Sequence, residues 1–144
     1  MTSAKRIDLH THSTVSDGTE TPGELLAHVR EAGIGLFSLT DHDAVKGCLR
    51  IRELLREGDP AFLPGIEFSC RDDEGKYHIL GYGFDPDAAP LRQIVEMGHA
   101  YRMKKVRTRL AFLETRFGTE VRCRSCCTAR KERMSLIRRL ICCR

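Results

Sequence analysis

The chain lacks three features that would each place it in a particular class of protein. No run of apolar residues approaches the length of about 18 to 20 that a membrane span requires. The first residues, Met1 to Asp8, lack the apolar stretch of a secretory signal peptide. Cysteine is scarce before residue 120, where Cys48 and Cys70 are the two present. These absences predict a globular protein of the cytoplasm, a compartment that suits histidine-based metal chemistry.

Charge and cysteine divide the 144 residues into two unequal parts. The net charge of +4 averages a body, residues 1–120, with 16 basic and 19 acidic side chains, and a tail, residues 121–144, with eight basic side chains and one acidic. The tail also holds the five remaining cysteines: Cys123, Cys126, Cys127, Cys142 and Cys143. The length allows one domain with a core. We therefore expect that domain in residues 1–120.

The tail, residues 121–144, has a composition typical of translation out of frame or of disorder. Cys123 and Cys126 have the Cys-x-x-Cys spacing of a zinc site, but the second pair, Cys142-Cys143, suits tetrahedral chelation poorly. The tail is basic, as a nucleic-acid-binding segment is, yet it contains no aromatic residue for base stacking.

Strand and helix patterns alternate along the body. Thr21-Pro22-Gly23-Glu24 has the residues of a capping box that begins a helix. Apolar patterning predicts further helices over Val45–Glu57 and Pro90–Phe117. It predicts strands over Arg6–His10, Ile34–Thr40, Ala61–Phe68 (broken at Pro64-Gly65) and Tyr77–Gly83. Such alternation predicts an α/β fold with mainly parallel strands.

Side chains that can bind metal follow the first strands. His10 and His12 are two residues apart, so that in an extended chain both imidazoles point to one side. Asp17 follows in a loop, and Asp41-His42-Asp43 comes directly after the second strand. The carboxyl ends of parallel strands are where α/β folds build their sites. We therefore expect a metal centre there. Taken alone, the His-x-His spacing is also consistent with two surface histidines in a loop.

The remaining candidates also have alternative interpretations. Glu67 is flanked by apolar residues, where a carboxylate is expensive unless it is paired or bound to metal. His78 lies inside a strand pattern and could be a hydrogen-bonded core histidine. Asp41 or Asp43 could cap the helix that begins near Val45.

Five segments, in this order, resemble the opening motifs of PHP-domain phosphoesterases. They are Ile7-Asp8-Leu9-His10-Thr11-His12-Ser13, Ser16-Asp17-Gly18, Leu39-Thr40-Asp41-His42-Asp43, Leu63-Pro64-Gly65-Ile66-Glu67-Phe68-Ser69 and His78-Ile79-Leu80-Gly81-Tyr82. Order, spacing and flanking residues match over roughly residues 5–118. The most similar subgroup is the stand-alone bacterial enzymes that dephosphorylate nucleoside 3′,5′-bisphosphates or trim short RNA from the 5′ end.

The resemblance implies a distorted (β/α)7 barrel that holds two or three divalent ions, manganese, zinc or iron. His10 and His12 would bind one ion, Glu67 would bridge two, and His78 would bind the second. Asp17 and His42 would hold a third. Asp41 and Asp43 would have catalytic supporting roles, orienting His42 or the metal-bound water. The implied substrates are phosphorylated small molecules, nucleotides or short RNA, with no membrane partner and no specific DNA.

Two later motifs of the family, an Ala-His-Pro-like and an Asp-x-His-like segment, have no counterpart here. We therefore expect the N-terminal part of the barrel, incomplete, with exposed strand edges and apolar helix faces. An alternative to the phosphoesterase is an inactive fragment that binds only metal or a partner. A third hypothesis, a nucleic-acid-binding protein that acts through its tail, fits the acidic body poorly.

Overall fold

The computed structural model describes residues 6–118, and the predicted tail over 121–144 lies outside them. The described chain forms these elements in order: β1 (Arg6–Thr11), α1 (Pro22–Glu31), β2 (Ile34–Leu39), α2 (Lys46–Leu54), β3 (Ala61–Phe62), β4 (Gly65–Arg71), β5 (Lys76–Tyr82) and α3 (Ala89–Phe117). The alternation of strands and helices confirms the predicted α/β class.

The first helix begins where the capping box predicted. The Thr21 side chain accepts a hydrogen bond from the backbone N–H of Glu24, and the Glu24 carboxylate accepts one from the N–H of Thr21. Pro22 occupies the first turn, where a missing N–H carries no penalty. Gly33, with φ of 64°, follows the helix in a left-handed conformation that glycine adopts without strain. The sequence signals therefore act locally, as expected.

The second helix differs from its sequence prediction at both ends. Val45 is its N-cap residue, and no side chain caps its first turn. The interpretation of Asp41 or Asp43 as a helix cap is therefore wrong. The helix also ends at Leu54 rather than near Glu57, because Leu55 turns into an extended conformation with ψ of 142°. Its buried face consists of Gly47, Cys48 and Ile51.

The strands form two sheets of opposite type. Strands β1, β2 and β3 are parallel, in that order, as the α/β pattern predicted. The expected break at Pro64-Gly65 separates β3 from β4, and β4 then pairs with β5 in an antiparallel hairpin from Gly65↔Tyr82 to Arg71↔Lys76. Glu67 and His78 consequently lie within hairpin strands and not at the ends of parallel ones.

Two apolar clusters support these sheets. The larger is enclosed between α1, α2 and β2 and consists of Leu26, Val29, Phe37, Leu39, Cys48 and Ile51, all almost completely buried. The smaller consists of Val45, Ile66 and Leu91 and joins β4 to the start of α3. Strand β2 is therefore the buried centre of the parallel sheet, as its continuous apolar run predicted.

Helix α3 has the predicted position, but its apolar residues are mostly exposed. Leu91 is its buried residue, whereas Tyr101, Phe112 and Phe117 are each more than 60% exposed. Among the helices of residues 6–118, none combines the length and apolar character needed to cross a membrane.

Candidate metal centre

The end of strand β1 presents two imidazoles on one side. Thr11 lies between them. Its hydroxyl donates to the carbonyl of Ser38 at 2.7 Å, and its backbone carbonyl accepts from the N–H of Thr40 at 2.8 Å. These bonds hold Thr11 against β2, and the side chains before and after it point the other way. The rings of His10 and His12 lie 5.1 Å apart between centroids. The His-x-His spacing therefore brings both rings together as predicted.

Backbone contacts bring Glu67 beside the segment that follows β2. His42 forms an isolated parallel bridge with Glu67. The N–H of Asp43 donates to the carbonyl of Glu67 at 3.0 Å, and the N–H of Glu67 donates to the carbonyl of Asp41 at 3.3 Å. Strand β4 thus continues alongside the segment that carries His42, although it belongs to the hairpin. This bridge places the Glu67 side chain among the histidines.

Four imidazoles surround the buried Glu67 carboxylate. Its Oε2 lies 2.9 Å from His10 Nε2, 3.1 Å from His12 Nε2 and 3.8 Å from His42 Nδ1, and its Oε1 lies 2.7 Å from His78 Nδ1. Burial by itself raises the pKa of Glu67. The hydrogen bond from His10 and the charges of the neighbouring imidazoles outweigh burial and hold the pKa below its ordinary value. A buried carboxylate is tolerated here because partners surround it.

Asp17 brings a second carboxylate to the same histidines from the loop after β1. Its Oδ1 lies 3.6 Å from His12 Nδ1, and its Oδ2 lies 3.6 Å from His42 Nε2. The rings of His12 and His42 are stacked, with centroids 4.7 Å apart. These nitrogen–oxygen distances are too long for hydrogen bonds. They are close to the separation of about 3.4 Å expected for two ligands of one tetrahedral zinc ion.

The side-chain atoms that could bind metal fall into three groups of three residues each, called donor groups below. These groups, whose ligand atoms lie within 4.8 Å of one another, are His10–His12–Glu67, His12–Asp17–His42 and His42–Glu67–His78. All six predicted ligand residues are among them. The Nδ1 atoms of His12 and His42 are buried and make no hydrogen bond within the described residues. Buried imidazole nitrogens without a hydrogen bond, beside carboxylates, fit divalent ions such as zinc, iron or manganese.

Asp41 and Asp43 have positions that the sequence did not anticipate. Asp41 is 1% exposed and accepts hydrogen bonds from Ser13 and Ser16. Asp43, with φ of 47°, accepts from the N–H of Ser69 at 2.8 Å. Neither carboxylate bonds to Nδ1 of His42, an atom that makes no hydrogen bond within residues 6–118. Their expected role in orienting His42 therefore has no hydrogen bond at this atom to support it.

Ser13 and Ser16 are the polar residues near the site that the sequence interpretation missed. The signal was present in Asp41, which follows a strand buried on both faces. A carboxylate in that position needs hydrogen-bond donors, and serines in an adjacent loop are suitable ones. Which loop would supply them depends on the parallel pairing of β1 with β2.

Comparison with known proteins supports the resemblance noted in the motifs. Residues 8–138 match the PHP domain family. A 5′-3′ exoribonuclease of Haemophilus influenzae is 31% identical over 101 residues, which cover 70% of this chain and 37% of that protein. A 3′,5′-nucleoside bisphosphate phosphatase of Chromobacterium violaceum is 33% identical over 108 residues, which cover 75% of this chain and 38% of the other. The chain thus spans less than two fifths of these relatives.

Solved structures give the same result for the fold. A protein of Bifidobacterium adolescentis described as a metal-dependent phosphoesterase superposes with a TM-score of 0.69 at 28% identity, over 80% of this chain and 40% of that one. An amidohydrolase of Chromobacterium violaceum, solved with sulfate and no metal, superposes with a TM-score of 0.68 at 35% identity, over 76% and 39%. The predicted correspondence to part of a larger α/β structure is confirmed.

Proposed function

The chain belongs to the PHP domain family, and on that premise we propose that it carries part of the metal centre of an enzyme that hydrolyses phosphate esters of nucleotides or short RNA. The observation that carries the proposal is the buried Glu67 carboxylate, with imidazole nitrogens of four histidines within 3.8 Å of it. Ordinary surface clusters do not bury a carboxylate beneath so many imidazoles.

The three donor groups suggest how the ligands are divided. His10 and His12 would hold one ion with Glu67, and His42 and His78 would hold another with the same carboxylate. Asp17 would complete a third group with His12 and His42. Divalent ions held there would supply an acidified water and a positive clamp for phosphoryl oxygens. The contribution of the chain is to keep the imidazoles and carboxylates in fixed positions. The parallel pairing of β1 with β2 places His10 and His12, and the bridge between His42 and Glu67 joins the hairpin to them.

The exposure of the six side chains gives the centre an open side. Glu67 has a side chain that is 6% exposed, whereas those of His10, His78 and Asp17 are each more than half exposed. His12 and His42 lie between these extremes, at 23% and 17%. A phosphate group could therefore approach from the side of His10 and His78 while Glu67 stays shielded from water.

The class of substrate is inferred from the relatives. The relatives named above act on RNA or nucleoside bisphosphates, and a third relative, 38% identical over 86 residues, is a phosphoribosyl 1,2-cyclic phosphate 1,2-diphosphodiesterase of Eggerthella lenta. All three names describe phosphate esters of a ribose unit. We therefore propose that the substrate is a phosphate ester of ribose, either a nucleotide or a short RNA.

Metal loading and hydrolysis test the proposal together. The purified chain is incubated with manganese, zinc or iron, and bound metal is measured by elemental analysis. We expect bound metal in the wild-type chain and a loss of affinity of about 10- to 100-fold in His12→Ala. His99→Ala is the matched control, because His99 belongs to none of the donor groups. Equal metal in the two variants would contradict the assignment.

Hydrolysis is then measured with a nucleoside 3′,5′-bisphosphate and a short 5′-phosphorylated RNA. Release of phosphate or nucleotide that requires metal and disappears in His12→Ala supports the proposed activity. Metal binding without hydrolysis of either substrate would support a second function, a metal-binding segment without turnover.

A further inference from the structure

The buried Asp41 carboxylate lies at the centre of a hydrogen-bond network outside the donor groups. Its Oδ1 accepts from the backbone N–H of Ser13 at 2.7 Å and from the hydroxyl of Ser16 at 2.7 Å. Its Oδ2 accepts from the hydroxyl of Ser13 at 2.8 Å. Hydrogen bonds to an ionised acceptor are about twice as strong as neutral ones. Asp41 is therefore a strong anchor for the segment that carries these serines.

Both serines stand directly beside candidate metal ligands. Ser13 follows His12, and Ser16 precedes Asp17. The hydroxyl of Ser16 donates its one proton to Asp41 at 2.7 Å and lies farther, at 3.3 Å, from Oδ1 of Asp17, so that the buried carboxylate fixes the residue next to Asp17. The N–H groups of Ser16 and Gly18 both donate to the carbonyl of Ser13, which closes the loop into a tight turn. Fixing the two serines therefore fixes the loop from which Asp17 reaches His12 and His42.

Two glycines allow close contacts around Asp41 and the loop that it binds. A Cβ atom at Gly47, in the first turn of α2, would collide with Oδ2 of Asp41. A Cβ atom at Gly18 would collide with the backbone of His12 and Ser13. Two glycines thus permit the close approach of helix, carboxylate and loop. The closeness of these contacts keeps Asp41 aimed at the loop.

We propose that Asp41 is a positioning residue that, through Ser13 and Ser16, holds the loop over residues 13–17 so that Asp17 faces His12 and His42. This proposal rests on the proposed function, because it assigns Asp41 a purpose in a metal centre. The Asp17 side chain is 57% exposed and lies 3.6 Å from each histidine, so the loop backbone decides where it points. Ordering the loop during folding removes the entropic cost of ordering it when an ion binds.

The sharpest test removes one hydroxyl. Ser16→Ala deletes the bond to Asp41, and Ser16→Thr keeps it. Thr14→Ala, at an exposed position in the same loop, is the control. Manganese affinity is measured by isothermal titration calorimetry. We expect Ser16→Ala to weaken manganese binding by about 10-fold, as losses of groups that orient metal ligands do. Ser16→Thr should restore the affinity, and Thr14→Ala should leave it unchanged. If Ser16→Ala acted by a general loosening of the fold, restoring the hydroxyl would not by itself restore the affinity.

Asp41→Asn provides a second and larger perturbation. An asparagine in the same place turns an amide N–H₂ toward one of the serine donors, and we expect a greater loss of affinity together with a lower melting temperature. If that variant does not fold, the Ser16 pair still decides the matter. Manganese affinity in Ser16→Ala equal to that of the wild-type chain would overturn the proposal.

A separate readout keeps the two proposals distinguishable. Amide hydrogen exchange of residues 14–17 is measured in the metal-free wild-type, Ser16→Ala and Thr14→Ala chains. Faster exchange in Ser16→Ala alone supports the loop-holding role, and equal exchange in all three overturns it. A wild-type chain that takes up no manganese would overturn the proposed function, while the exchange result would still decide whether Asp41 orders the loop.

Discussion

The parallel layer (β1–β3 with α1 and α2) and the hairpin (β4 and β5) differ in how far the chain covers them. In the parallel layer, Phe37 and Leu39 of β2 have no exposed surface. In the hairpin, Ile79 and Tyr82 of β5 are 54% and 38% exposed, although Ile66 of β4 is buried. Within the described residues, β5 pairs with β4 alone. The parallel layer therefore carries most of the core. The hairpin packs against the rest of the described chain through buried residues of β4 such as Ile66.

This difference bears on the metal centre, because both regions contribute donors. His10, His12 and His42 come from the parallel layer and the segments after its strands, whereas Glu67 and His78 come from the hairpin. Glu67 is tied to the parallel layer through its bridge to His42. Among the residues that the structure describes, His78 forms no such backbone bridge. Its ring contacts that of His42 edge-on, with centroids 4.8 Å apart, and its side chain is 55% exposed. The comparison suggests that the centre has a well-supported part around His12 and a weaker part around His78.

The largest expected effect is on the core of the parallel layer. Phe37→Ala removes a fully buried ring that lies 5.0 Å from the ring of Phe62. We expect the free energy of unfolding to fall by about 3–5 kcal/mol, because a large cavity is left. Urea denaturation measures the change. A loss comparable to that of an exposed residue would show that the parallel layer does not carry the core.

The next effect concerns the donors of the two regions. His12 belongs to two of the three donor groups, and His78 belongs to one. We expect His12→Ala to weaken manganese binding by about 100-fold and His78→Ala by about 10-fold, because loss of a group that only orients a ligand already costs about 10- to 100-fold. Calorimetric titration of the two variants, beside His99→Ala, gives the comparison. A larger loss for His78→Ala would reverse the ranking of the two parts.

A smaller effect depends on pH and lies at the edge of the parallel layer. The bidentate bond from Arg30, at 2.7 and 2.6 Å, together with the N–H of Arg56, lowers the pKa of Asp59 to about 2 from its ordinary value of 3.8. The folded-state pKa is the lower one, so the pair stabilises the fold fully above pH 3.8. That contribution is lost as pH falls toward 2.

Asp59→Asn tests this expectation. The urea midpoint of the wild-type chain should exceed that of the variant near pH 6, and the gap should narrow steadily between pH 4 and pH 2, over the interval set by the two pKa values of Asp59. Asp87→Asn serves as a control on an exposed carboxylate whose arginine neighbour lies at a longer distance of 3.4 Å. A gap that stays constant down to pH 2 would contradict the role of the pair.

The smallest expected effect is on the hairpin surface. Ile79 is opposite Phe68 in the antiparallel pairing, and its side chain is more than half exposed. Ile79→Thr keeps the β-branched shape and should change the free energy of unfolding by less than about 0.5 kcal/mol, as exposed substitutions do. Urea denaturation beside Phe37→Ala measures it. A loss above about 2 kcal/mol, in the range of buried apolar truncations, would show that the hairpin face is covered in solution.

The sequence predicted the elements that depend on local signals. The capping box at Thr21 began α1 at the expected residue, because its hydrogen bonds join residues three positions apart. The apolar run of β2 marked a buried strand. The end of α2 and the antiparallel pairing of β4 with β5 were less accessible, because tertiary contacts decide them. The ligand roles of the six candidates remain predictions, although the structure brings all six together.

Sequence alone determined which side chains are candidates for the centre, because His-x-His and the residues around Asp41, Glu67 and His78 are readable as types and spacings. Only the tertiary structure decided which atoms face each other. The pairing of His42 with Glu67 and the direction of Asp41 toward Ser13 and Ser16 join residues 25 or more positions apart. Their meeting depends on strand register and on the space left by Gly47, and no local pattern encodes either.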